Sequence, residues 1–193
     1  MALPATRLYA TIDDLVQREE ETGVRHELYD GELFAMAGAR LPHTILSTNL
    51  ASELRDALND MPCVALGPDG RVLCPATDES EPDLYTFPDV SVVCGEPQIV
   101  PPADTLTNPV LVAEVVSAST EAYDRGQKFA LYRRIPTLHT YLLLAQDRRS
   151  VDVFERAGDG WSLRDGDDDT VRLRHLGVTL AMDAPLHPPR HEG

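Results

Sequence analysis

Apolar positions recur along this chain with two spacings, and the change from one to the other marks its elements. Thr11 followed by Asp14 reads as a helix-capping arrangement, and IDDLVQREEE continues it as a short acidic helix. HELYDGELFAM reads as strand, turn at Asp30-Gly31, strand: a hairpin. In PHTILSTNLASELRDALND, Ile45, Leu46, Leu50, Leu54, Ala57 and Leu58 recur at helical spacing and predict an amphipathic helix of about four turns. Short strands are predicted at 71–76 and 88–94, separated by the acidic loop TDESEPDLYTF, and the proline-rich EPQIVPPADTLTNP reads as a surface connection. There follow a strand, VLVAEVV, a helix around DRGQKFALYRR and a strand, TYLLLAQ. SVDVFERAGDGWSLRDGDDDTVRL then supplies three short strands with Gly/Asp turns. The near-continuous apolar runs 110–116 and 141–145 imply a central sheet covered on both faces. The expected class is α/β, a central mixed β-sheet flanked by helices. With no internal repeat, it forms a single domain over 1–193, with its core at about 10–180 and a flexible tail at 183–193.

Composition narrows the function classes. No apolar run approaches the length of a membrane span, and MALPATRLYATIDD lacks the basic and apolar regions of a secretion signal. Cys63, Cys74 and Cys94 are odd in number and show no CxxC spacing. They read as small buried apolar residues rather than a disulfide framework or zinc site, and a cytoplasmic location is expected. The net charge of −15 argues against a general nucleic-acid coat but leaves room for a metal-bridged phosphate. No phosphate-binding glycine loop, zincin motif or nucleophile elbow is present.

Three residues stand out. Glu114 lies among Val112, Ala113, Val115 and Val116, where a carboxylate requires a partner or a metal unless the strand end is exposed. Asp89 opens the 88–94 strand; were that strand beside 110–116, two carboxylates would converge as hard oxygen ligands suited to Mg²⁺ or Mn²⁺. Lys128 is the only lysine among 17 basic residues, and unlike arginine it can shift its proton affinity. It also sits four residues after Asp124, where a plain helical ion pair would explain it. Ser117 and Ser119 in SAST either cap the next helix or donate to a phosphate, with Arg125 beside them. Glu32 faces the same site or belongs to a solvated hairpin. His43 opens its helix as a cap-region or site residue, while His26 and Glu27 are expected on the hairpin surface.

The order HELYDGEL, PH at a helix start, PDVSVV, LVAEVVSAST, DRGQKFALYRR and TYLLLAQDRRSVDVF, over roughly residues 10–165, resembles the Uma-two family. These are restriction-endonuclease-like proteins of the PD-(D/E)XK nuclease superfamily. The resemblance implies a restriction-endonuclease-like fold and a metal-dependent endonuclease that hydrolyses DNA phosphodiester bonds, paired as a homodimer. The superfamily's usual lysine place, two residues after the acid, is Val116 here; the resemblance moves the lysine onto the following helix, at Lys128. Asp89 and Glu114 would then be metal ligands with the Val115 carbonyl a third, for Mg²⁺ or Mn²⁺. Glu32 would stand in for an early acid, and His43 matches a recurrent position without an assigned role. Two other readings compete: a catalytically inactive binding module using a basic patch of Arg125, Arg133, Arg134, Arg148 and Arg149, and a two-carboxylate glycosidase, which has no use for the lysine.

Overall fold

A computed structural model describes residues 10–36, 38–76, 84–101, 104–166 and 170–181; the expected tail and most of the acidic loop lie outside the described residues. In chain order the elements are α1 (Ile12–Thr22), β1 (His26–Tyr29), β2 (Glu32–Ala35), α2 (Leu41–Ala57), β3 (Cys63–Leu66), β4 (Val72–Cys74), β5 (Leu84–Thr86) and β6 (Val90–Cys94). Then come β7 (Ile99–Val100), β8 (Thr105–Leu106), β9 (Leu111–Val116), α3 (Glu121–Tyr123), a π-helical turn (Asp124–Lys128) and α4 (Phe129–Tyr132). The chain closes with β10 (Thr140–Ala145), β11 (Val151–Ala157), β12 (Gly160–Asp165), β13 (Thr170–Leu173) and β14 (Val178–Ala181). Among the described residues no helix is long and apolar enough to cross a membrane.

The central sheet has the order β12-β11-β10-β9-β6-β3 and is mixed, with β9 and β10 parallel and their outer neighbours antiparallel. Alternation along β9 divides its side chains between two cores. Leu111, Ala113 and Val115 join the cluster of Leu46, Leu50 and Leu54 from α2, with Val171 and Leu180 of the β13–β14 hairpin beyond. Val112 and Val116 join the opposite cluster, with Tyr132, Leu131 and Tyr141 and residues of a second sheet. Glu114 shares this second face, so its carboxylate enters an apolar layer beneath the π-turn and α4.

The second sheet, ordered β2-β1-β5-β4-β8-β7, was not visible in the sequence pattern. β5 lies at the end of what reads as an acidic loop, and β7 and β8 form within the proline-rich connection. Each is two or three residues long, too short for any periodicity, and is recruited by tertiary pairing. The hairpin that begins this sheet is as expected: Asp30 and Gly31 both take positive φ (48° and 72°), the backbone of a type I′ turn. Thr11 and Asp14 exchange both capping-box hydrogen bonds at the start of α1.

One expectation is overturned. Cys63 and Cys94 form a disulfide across β3 and β6, where the antiparallel register sets them directly opposite with Cα atoms 4.0 Å apart. Their separation of 31 residues carries no spacing signal, because strand pairing rather than chain proximity brings them together. The cysteines therefore no longer support the expected cytoplasmic location, since disulfides are rare where thiols are kept reduced. Cys74 is buried, as expected.

Candidate active site

The site is assembled where β6 and β9 run side by side. Val90 pairs with Ala113, so one ladder step further Asp89 comes level with Glu114. Asp89 does not point freely into solvent. Its Oδ2 accepts a hydrogen bond from the Val115 amide at 2.7 Å, and its Oδ1 lies 2.6 Å from His43 Nε2, delivered by the first turn of α2. Both carboxylate oxygens are thereby fixed, and His43 gains a definite task in positioning Asp89.

Glu114 is 5% exposed, Lys128 6%. Lys128 Nζ lies 2.9 Å from Glu114 Oε1, the same oxygen that accepts the Tyr132 hydroxyl at 2.6 Å. On its other side the ammonium lies 3.4 Å from Glu27 Oε1, which Thr86 Oγ1 also contacts. The π-turn matters here. Widening one turn of the helix to i→i+5 bonding shifts the register of the residues beyond it. Asp124 and Lys128 are both buried within that turn, with Tyr132 next in α4.

Four carboxylates, from Glu27, Asp89, Glu114 and Asp124, line one cleft of about 290 Å³ together with His43, Val115 and Lys128. Burial pushes Glu114 up to about 8; Lys128 opposes that rise, while Asp89 and Asp124 add to it. Asp89 and Asp124 are raised as well, chiefly by burial. For Lys128 burial works against the charge, but Glu114, Glu27 and Asp124 overcome it and raise its proton affinity. The cluster therefore keeps an ammonium and gathers four carboxylates around it.

Among the described residues no three His, Cys, Asp or Glu side chains converge on one metal position. Two carboxylates and a neighbouring backbone carbonyl nevertheless match what a small hard cation accepts, since Mg²⁺ keeps several waters and takes the rest of its shell from substrate phosphate. The donor chemistry fits such an ion.

The expected site residues divide. Asp89, Glu114, Val115, Lys128 and His43 come together. Glu32 does not line the cleft: it is exposed on β2 near the hairpin turn, opposite Tyr29. The early acid that reaches Lys128 is Glu27, expected on the hairpin surface, and His26 beside it is buried. Ser117 and Ser119 bond to each other, and Ser117 also to Thr120, closing the turn before α3; neither side chain caps that helix, whose N-cap Thr120 makes no side-chain capping bond. Arg125 is committed to Glu121 and Asp152, away from the cleft, and Arg148 to Glu121 and Asp147. Arg125, expected to bind substrate, thus does not line the cleft, and two members of the expected basic patch are engaged in ion pairs. Sequence reasoning missed Glu27, Asp124 as a cleft residue, and Tyr132. Tyr132 lies four residues after Lys128, the one spacing signal that could have found it.

Comparison with known proteins bears on the family and the fold. Residues 12–183 match the family model Uma2, described as "Putative restriction endonuclease". The chain is 34% identical over 173 residues to the uncharacterized protein slr1290 of Synechocystis sp., covering 89% of this chain and 88% of that one. It is likewise 34% identical over 160 residues to the uncharacterized protein sll1609 of the same organism, covering 82% and 88%. In fold it is similar, with a TM-score of 0.62 at 14% identity, to a crystal structure from Anabaena variabilis described as a "putative nuclease belonging to DUF820". That likeness covers 86% of this chain and 91% of the other.

Proposed function

The chain belongs to the Uma2 family, and from that premise we propose that it is a metal-dependent endonuclease hydrolysing DNA phosphodiester bonds with Mg²⁺ or Mn²⁺. One observation carries the reading: Asp89 and Glu114 stand level on neighbouring strands, with the chain's only lysine 2.9 Å from Glu114. This is the split form of an acid–acid–lysine site, with Val116 in the usual lysine place.

Each residue has a task set by its contacts. Asp89 and Glu114 would hold the cation, with the Val115 carbonyl as a further oxygen. The bound metal would supply Lewis-acid neutralisation of the phosphate. Lys128, kept charged by its acidic neighbours, orients a water and stabilises negative charge developing on phosphate oxygens. His43 and the Val115 amide hold Asp89 in one orientation. Glu27, itself contacted by Thr86, positions the ammonium from the side opposite Glu114.

The test is nicking of supercoiled plasmid and cutting of oligonucleotides with Mg²⁺, with Mn²⁺ and with chelator. Wild type cuts with either metal, whereas Asp89→Asn, Glu114→Gln and Lys128→Arg lose at least a hundredfold while circular dichroism shows them folded. Lys128→Arg is the most telling, because charge is kept while size and geometry change. Absence of metal-dependent cutting on every DNA offered, or equal cutting by wild type and Glu114→Gln, ends the nuclease reading.

A further inference from the structure

Beside the acidic cluster the cleft has an apolar wall that catalysis does not use. It is formed by Phe34 and Ala35 of β2 with Met36 just after them. Phe34 is 47% exposed, and of the large hydrophobic side chains exposed among the described residues it alone is aromatic. Its direction is fixed by register: Phe34 pairs with Glu27 across the β1–β2 hairpin, and directly paired residues project to the same face. The ring therefore lies on the side from which Glu27 reaches Lys128. Behind it stands Tyr29, with ring centroids 6.4 Å apart, and Tyr29 in turn meets Tyr123 edge-on at 5.8 Å. An exposed ring backed by a second, which is itself held by a third, is a pre-formed face rather than a loose side chain.

The charge of the molecule says what such a face is for. Proteins that hold duplex DNA draw much of their affinity from cations on phosphates. This cleft presents four carboxylates against one buried lysine, in a chain of net charge −15. Beyond a single metal-bridged phosphate, affinity for a polyanion here needs a term independent of charge, and base stacking on an aromatic ring is such a term. A base within a duplex has both faces covered and is not available to it. Resting on the nuclease reading of the same site, we infer that the cleft takes an unpaired nucleotide whose base stacks on Phe34, so that the substrate is single-stranded or locally unpaired nucleic acid.

The experiment uses the full chain and twelve-nucleotide probes carrying a central 2-aminopurine: single-stranded DNA, single-stranded RNA, a DNA hairpin with the label in its loop, and a blunt duplex. Binding is followed by anisotropy and 2-aminopurine quenching, with Ca²⁺ in place of Mg²⁺, and cutting is then measured with Mg²⁺. Wild type is expected to bind and quench a single strand or hairpin loop at least tenfold better than the duplex, and the DNA and RNA arms identify the backbone. Phe34→Ala and Phe34→Leu should each lose about tenfold in affinity together with the quenching, whereas Phe34→Trp retains both. The inference is overturned by equal or tighter duplex binding, by unchanged affinity in Phe34→Ala, by Leu serving as well as Trp, or by Phe34→Ala altering only self-association in sedimentation. The two readings fail separately. Stacking without cutting removes the hydrolytic role and leaves this inference, whereas duplex cutting indifferent to Phe34 does the reverse.

Discussion

Glu114 Oε1 receives two donors, the Tyr132 hydroxyl at 2.6 Å and the Lys128 ammonium at 2.9 Å, inside a layer otherwise made of Val112, Val116 and Tyr141. An isolated carboxylate there would be costly, so the hydroxyl and the ammonium jointly decide which way Glu114 faces. Tyr132→Phe keeps the ring and deletes one donor. Loss of a hydrogen bond to a charged group costs about 1.5–3 kcal/mol, and in a chain of this size that lowers the melting temperature by roughly 3–12 °C. A double-mutant cycle with Glu114→Gln separates the hydrogen bond from general packing. We expect the two changes to depart from additivity by about 1 kcal/mol or more, since residues in one network couple. Losses that add to within about 0.5 kcal/mol would mean that Tyr132 only fills space.

At the scale of elements, the disulfide changes how the edge of the central sheet is held. β3 is the terminal strand, with Val64 exposed upon it, and an unprotected edge invites mispairing. Cys63–Cys94 ties this strand to β6, whose other neighbour β9 carries Glu114. Closing a loop of 31 residues stabilises by about 3–4 kcal/mol through the unfolded chain. Cys63→Ser should therefore melt roughly 6–16 °C below the oxidised wild type, and a reductant should bring wild type down to the variant. Identical melting of all three would show the link to be energetically idle. The elements themselves were legible to different degrees. α2, the first hairpin and strands β9, β10 and β11 show in the sequence because each is long enough to carry a period or a turn signal. The second sheet was hidden, since its strands β5, β7 and β8 are too short for either. The same divide runs through the site. Glu114 and Lys128 announce themselves as a charge in an apolar strand and a lone lysine. Glu27 and Glu32 look alike in HELYDGEL, and only the packing of the hairpin against Thr86 and the π-turn selects the former. The π-turn leaves no trace in side-chain patterning, because it is a backbone adjustment that Gly126, exposed and with open space around it, does not sterically require.

Across the whole molecule the decisive quantity is charge, and it leads to an expectation opposite to that for most DNA-binding proteins. A protein that neutralises Z phosphates loses affinity with salt, with a logarithmic slope near −0.7Z on single strands and −0.9Z on duplex. Lys128 is the only lysine, and Arg125 and Arg148 are already paired with Glu121, Asp152 and Asp147. Among the described residues lining the cleft Lys128 is the one Lys or Arg, so that lining offers little to displace counterions from a nucleic acid. Added salt also screens the repulsion between a substrate and a surface of net charge −15, which raises affinity and offsets part of the loss. The two effects together predict a shallow slope of about −1 to −2 for single-stranded DNA. Anisotropy titrations at several potassium chloride concentrations and fixed divalent metal measure it. A slope steeper than about −4 would require several phosphate contacts made by arginines, and would shift the source of affinity from the aromatic wall at Phe34 to a basic surface. A shallow slope combined with sensitivity to Phe34→Ala would leave stacking and the metal-bridged phosphate as the terms that hold the substrate.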